Sequence, residues 1–208
     1  MAKRDRRDSL RRRRAFRAPR PRFLIVCEGT QTEPEYFKEI RHLERSLIDL
    51  TISPGGVPKT LVERAVEMKK AAVANAKRQQ DDNQKYDYVW CVFDVDEHPL
   101  VPEAQQKARD NSIEVALSNP SFELWALLHF RNQSAHIERG PLHHECKLYM
   151  PGYEKRLPTT RLYPLVDDAT QRARDLDHWQ VSRDCGGANP STGVYRLVEQ
   201  IRLSDKST

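Results

Sequence analysis

Asp94 and Asp96 stand two residues apart at the end of the apolar run Val89-Trp90-Cys91-Val92-Phe93, and Glu97, His98 and Pro99 follow them. A short run of this kind reads as a buried strand. Side chains i and i+2 of a strand share a face, so the two carboxylates point the same way and repel each other. A bound cation offsets such repulsion, and an oxygen-only ligand set selects a hard divalent ion, Mg2+ or Mn2+. The plainer reading is a pair of aspartates that cap a loop. A second apolar run, Arg22 to Cys27, stops at Glu28-Gly29-Thr30. It reads as a strand feeding a turn, with an acid at its C-terminal end and a glycine that permits a close backbone approach.

Open parallel sheets place ligands outside the C-terminal ends of their strands, where the strand order reverses. If the first and third strands are neighbours, Glu28, Asp94 and Asp96 converge there as the expected catalytic and metal-binding residues. A cation held by them can orient a phosphodiester, activate water and stabilise the leaving oxygen. Other acids stand nearby in the chain. Glu33 and Glu35 follow Thr32 in the first turn of an expected helix, where the dipole favours them, and either is close enough in sequence to approach the metal. Glu123 sits among Phe122, Leu124 and Trp125, where an unpaired charge is costly, so it is either part of the site or half of a buried salt bridge. Whether His98 takes part is open. His143-His144-x-Cys146 fits no common zinc spacing and reads as a surface loop. Lys147, Lys155 and Arg156 read as a solvated basic face, and Trp90 and Trp125 as core.

These residues need a scaffold. After the first strand, Tyr36, Phe37, Ile40, Leu43 and Leu47 recur at helical spacing, with Thr32 as N-cap and Pro34 in the first turn. Leu50 to Ser53 reads as a strand, 59–78 as a helix, 86–93 as the strand that carries the aspartates, 102–109 as a helix, 113–117 as a strand and 121–130 as a helix. Alternation of this kind implies an α/β fold: a central parallel sheet with crossover helices on its faces. The divisions expected are a basic arm over 1–21, the α/β core over 22–130 and a mostly helical extension over 131–208. In the extension, 131–164 reads as short helices and loops and 166–176 as a helix. Ser191-Thr192 reads as the cap of the last helix.

Charge is distributed unevenly. The chain of 208 residues has a net charge of +5. Its first 22 residues hold eleven Lys and Arg against Asp5 and Asp8, a net +9, so the remainder carries −4. An arm with Arg11, Arg12, Arg13 and Arg14 in succession attracts polyanions, nucleic acid first among them, although a short basic tail can equally serve only for solubility. No stretch approaches the roughly 20 apolar residues that cross a bilayer. The basic segment lacks the apolar stretch of a secretory signal. The four cysteines are scattered, as expected of reduced thiols in a cytoplasmic protein.

Four ordered blocks carry a more specific signal. Cys27-Glu28-Gly29-Thr30-Gln31-Thr32-Glu33-Pro34-Glu35-Tyr36-Phe37, then Phe93-Asp94-Val95-Asp96, then Ser118-Asn119-Pro120-Ser121-Phe122-Glu123-Leu124-Trp125, then Asn189-Pro190-Ser191-Thr192 resemble the RloB family of bacterial Toprim-like proteins. The resemblance covers most of the chain beyond the arm. It implies a Toprim-like sheet with a helical C-terminal extension. It also implies Glu28 as metal ligand or general acid/base, Asp94 and Asp96 as metal ligands, and Glu123 near the site at a helix start. Its members are often found beside an ATPase partner, RloA, in anti-phage neighbourhoods. The chain has no Walker A loop of its own.

The function expected is therefore a Mg2+- or Mn2+-dependent nuclease that cuts RNA (tRNA included) or DNA, with an ATPase partner, in anti-phage defence; an oligomer is compatible with this. The alternative is a non-catalytic nucleic-acid-binding or regulatory subunit. A phosphatase of the haloacid dehalogenase type, which also places Asp-x-Asp at a strand end, fits less well: here the pair is on the third strand and is followed by Glu97.

Overall fold

The structure is a computed structural model that describes residues 20–52, 57–95 and 101–206. Asp96, Glu97 and His98 lie outside the described residues, as do Arg11 to Arg14. In chain order the elements are β1 (Arg22–Cys27), α1 (Thr32–Leu43), β2 (Leu47–Ile52), α2 (Pro58–Gln79), β3 (Tyr88–Asp94), α3 (Val101–Asp110) and β4 (Glu114–Asn119). They continue as α4 (Glu123–Leu128), α5 (Arg139–Tyr149), α6 (Thr159–Leu162), α7 (Val166–Val181), β5 (Ser191–Thr192) and α8 (Val194–Lys206).

The strand order is β2-β1-β3-β4-β5, so β1 and β3 are neighbours, as the convergence of their acids requires. The first four strands run parallel, with Cys27 opposite Val92 and Asp94 opposite Ser118. The chain steps to one side of β1 to form β2, then crosses back to form β3 and β4. Crossover connections are right-handed, so reversing direction moves the helix to the other face of the sheet. Accordingly α1 packs on one face, while α2 and α3 pack on the other. The crevice where these two sets part is at the C-terminal ends of β1 and β3.

Alternation along the strands sorts the core into the same two layers. Leu24, Val26, Val89, Cys91 and Phe93 meet Leu61, Val62, Ala65, Ala104 and Ala108 of α2 and α3. Phe23, Ile25, Cys27, Trp90 and Val92 meet Tyr36, Phe37 and Ile40 of α1 and Leu124 to Leu128 of α4. The second layer extends without a break into α5, α7 and α8 through Leu142, Cys146, Val166, Ala169, Leu197, Val198 and Ile201. Trp125 is fully buried there, and its indole N–H donates to the Tyr36 hydroxyl at 2.8 Å. The Trp90 indole donates to Gln200 on α8 at 2.6 Å. Both tryptophans are core, as expected.

Several details differ from the sequence reading. Leu47 opens β2 instead of closing α1, because Arg45 adopts a positive φ of 51° and turns the chain. His143, His144 and Cys146 belong to α5, with Cys146 buried, and do not form a surface loop. Ser191 and Thr192 form a strand antiparallel to β4, which makes the sheet mixed, not wholly parallel. Two residues are too few to show a period, so only their partners reveal them. Thr192 still serves the helix that follows, since its hydroxyl accepts from the Val194 N–H at 3.3 Å. Buried Gln180 of α7 fixes the approach to β5, its amide donating to the Ala188 and Pro190 carbonyls and accepting from the Gly187 N–H.

Candidate functional site

Asp94 ends β3 with the parity of Trp90 and Val92, so it faces the layer that holds α1 and α4. Its side chain is 18% exposed. Glu28 follows the last residue of β1 and is tied to the neighbouring strand, its N–H donating to the Val92 carbonyl at 3.0 Å. Glu33 and Glu123 come from the starts of α1 and α4. Burial raises the Asp94 pKa well above the usual carboxylate range. Glu33, Glu123 and Glu28 raise it further, against the Arg139 guanidinium, which lowers it. The Glu33 pKa is also raised, first by burial and then by Glu123 and Glu28. Acids separated by up to 95 positions in sequence therefore feel one another's charge at one corner of the sheet.

The Glu33, Glu123 and Asp94 carboxylates are each held by groups that the fold brings to them. Glu33 is buried, and hydrogen bonds from its own N–H and that of Gly29 oppose the rise in its pKa. Its carboxylate lies so close over the turn that a Cβ on Gly29 would stand 2.0 Å from Oε2. Gly29 is thus required for close approach, not for a positive φ. Glu123 Oε2 accepts from the Ser121 hydroxyl at 2.6 Å and Oε1 from the Tyr153 hydroxyl at 3.1 Å. Two hydroxyls therefore meet the Glu123 charge, where sequence pointed to an Arg or Lys as its structural partner. Asp94 Oδ2 accepts from Arg139 Nη2 at 2.9 Å.

Glu28, Glu33, Asp94 and Glu123 thus lie close enough for their charges to act on Asp94 and Glu33, while Asp96 lies outside the described residues. Glu35 is not among them: it faces solvent beside Lys38, whose ammonium holds its carboxyl below the usual range. Thr32 is the first helical residue, not the cap, and its hydroxyl donates to the Lys155 carbonyl at 2.8 Å. Lys147 pairs with Glu154 on the surface. Among the described residues no group of three or more His, Cys, Asp and Glu stands ready-made for a metal ion. The donor chemistry nevertheless fits a hard divalent cation: the donors are carboxylate oxygens, and the partly buried Asp94 and the buried Glu33 are destabilised as anions by desolvation and then by neighbouring acids. A cleft of about 710 Å³ lies elsewhere, lined by Arg22, Lys38, Arg41, His42 and Arg45 around the start of β2.

The family described as RloB-like protein matches residues 23–201. The chain belongs to the RloB-like family. No curated protein and no solved structure matches it. The family match runs from within β1 to within α8 and includes the corner where the acids meet, so this corner belongs to the fold of an RloB-like chain and not to an appendage.

Sequence reasoning missed Arg139, Ser121 and Tyr153 as members of the site. Ser121 lies in the block that contains Glu123, two residues away, and its hydroxyl was available as a signal. Arg139 and Tyr153 are 45 and 30 positions from the residues they contact, and no local pattern marks them.

Two outcomes test this arrangement. Gly29→Ala should destabilise the fold by about 1–3 kcal/mol, because the new methyl collides with Glu33. The double variant with Glu33→Ala should recover most of that loss in a denaturant-unfolding cycle; additive losses would contradict the close contact. The second outcome concerns pH. A carboxyl whose pKa is raised on folding contributes stability below its unfolded pKa of about 4, and that contribution is lost as pH rises through the folded value. Asp94→Asn should therefore raise the melting temperature at pH 7 to 8 in chelator-treated buffer, with the gain shrinking as pH falls toward about 4. Little is lost with the Arg139 pair, since that side chain is half exposed.

Proposed function

We propose that this RloB-like chain is a Mg2+- or Mn2+-dependent nuclease that cleaves phosphodiester bonds in RNA, tRNA included, or DNA. The observation that carries the reading is the convergence of Glu28 and Asp94 at the switch point of β1 and β3, backed by Glu33 and Glu123, with the Asp94 pKa raised by burial and by all three glutamates. A cation is the natural remedy for such mutual repulsion. Glu28, Asp94 and Asp96 would hold it. When bound, it would polarise a phosphoryl oxygen and lower the pKa of water.

The chain's own groups do the rest. Glu28, at the C-terminal end of β1, would ligate the cation or move a proton at the attacking water. Glu33 is held by backbone N–H groups, and Glu123 by the Ser121 and Tyr153 hydroxyls, so both keep a fixed place beside the reacting centre. The arginine-rich arm adds phosphate contacts that do not depend on sequence. The reading includes a cytoplasmic protein acting with an RloA-like ATPase in anti-phage defence, with that ATPase controlling the toxic activity. For membranes the structural finding is narrower: among the described residues no helix is long and apolar enough to cross one.

A second reading, a nucleic-acid-binding subunit without catalysis, is favoured by one observation: Arg139 already neutralises Asp94. Cleavage assays separate the two. Purified protein, with and without its neighbouring ATPase, should cut labelled RNA or DNA only when Mg2+ or Mn2+ is present. Glu28→Gln and Asp94→Asn should each lower the rate by at least about a hundredfold while remaining folded. Binding without cutting under every metal and partner condition would establish the second reading. Removing residues 1–19 should weaken nucleic-acid binding at low salt and flatten its salt dependence, read by fluorescence anisotropy.

A further inference from the structure

Arg139 is the first residue of α5, and its guanidinium reaches across to Asp94 at 2.9 Å. The two side chains differ in surroundings: that of Asp94 is 18% exposed and that of Arg139 is 50% exposed. The cation therefore comes in from the solvent side, over a corner where Glu28, Glu33 and Glu123 all disfavour charge on Asp94. Its backbone is well anchored. The segment before α5 is fastened to the β5 approach, where the Asn189 side chain accepts from the Ile137 N–H at 3.0 Å and donates to the Ile137 carbonyl at 2.9 Å. Glu138, the residue before the helix, is extended, and α5 itself is locked by buried Leu142 and Cys146. A fixed root and a half-solvated tip allow the guanidinium to change partner without any movement of the backbone.

A divalent cation on Asp94 would stand beside the guanidinium on the same small carboxylate, and like charges that close repel in a partly buried setting, so the cation weakens the Arg139 pair. A released guanidinium would stay at the mouth of the same corner. Its planar fork matches the two free oxygens of a phosphodiester as well as it matches a carboxylate. We propose that Arg139 is the resident counter-ion of Asp94, that a divalent cation displaces it, and that the displaced guanidinium then binds the substrate phosphate. The inference rests on the metal-dependent reading above and adds a positioning residue and an order of events: cation first, then nucleic acid.

The test compares wild type, Arg139→Gln and Arg139→Lys, each checked for an unchanged near-UV circular dichroism spectrum. Mn2+ binding is measured by calorimetry, and affinity for labelled single-stranded RNA and DNA by anisotropy, with and without Mn2+. Arg139→Gln should bind Mn2+ about tenfold more tightly, the scale expected for removing one competing charge. It should also bind the nucleic acid several-fold more weakly, but only when Mn2+ is present, while Arg139→Lys should fall between the two in both assays. A simple tether between α5 and the sheet predicts the opposite for the metal, since loosening the corner would weaken Mn2+ binding. Unchanged or weaker Mn2+ binding by a folded Arg139→Gln protein overturns the counter-ion role alone. Nucleic-acid affinity that is unchanged, or reduced equally with and without Mn2+, overturns the exchange. If neither wild type nor Arg139→Gln binds Mn2+, both this inference and the metal-dependent reading fall together.

Discussion

Like charges confined to a small volume are the constraint around which this molecule is arranged. Glu28, Glu33, Asp94 and Glu123 are drawn to one corner of the sheet, and two of them are buried enough that ionisation is disfavoured. A corner of this kind costs stability, and the surrounding structure limits the cost at Glu33, Glu123 and Asp94 separately. Backbone N–H groups of the β1–α1 turn hold Glu33, hydroxyls hold Glu123, and a guanidinium holds Asp94. Strongly perturbed carboxylates of this sort cluster at functional sites in proteins generally.

The helical extension is part of that support. Tyr153 and Arg139 both come from residues beyond 131, and so does β5, which completes the sheet beside β4. Its apolar side chains join the core layer that contains β1, α1 and α4. Removing it would uncover Trp125 and leave Glu123 and Asp94 without those partners. The division into a core and an extension is useful for following the chain, but the acidic corner depends on both.

Gly29 shows how closely the local sequence is matched to the corner. Any side chain there would displace the Glu33 carboxylate, so the glycine and the glutamate four residues later form one unit. The cis peptide bonds Asn119-Pro120 and Asn189-Pro190 lie beside each other, because Asn119 pairs with Ser191 across β4 and β5. Two Asn-Pro-Ser segments thus meet at the sheet edge next to Ser118 and Thr192, whose buried hydroxyls are 3.0 Å apart.

The sequence by itself determined the alternation of strands and helices, the acids at the strand ends and the burial of Trp90 and Trp125. Those features depend on local period and on abrupt changes from apolar to charged residues, which are visible along the chain. Its four ordered blocks also pointed to the RloB-like family. It could not determine that Arg139 reaches Asp94, that Tyr153 and Ser121 hold Glu123, or that Ser191 and Thr192 are a strand. An arginine on a helix and a two-residue strand look the same in sequence whether or not a partner awaits them. Tertiary structure decided these matters because right-handed crossovers and a reversal at β1 bring distant helix starts to one corner, where charge and hydrogen bonding act over ångströms and not over sequence positions.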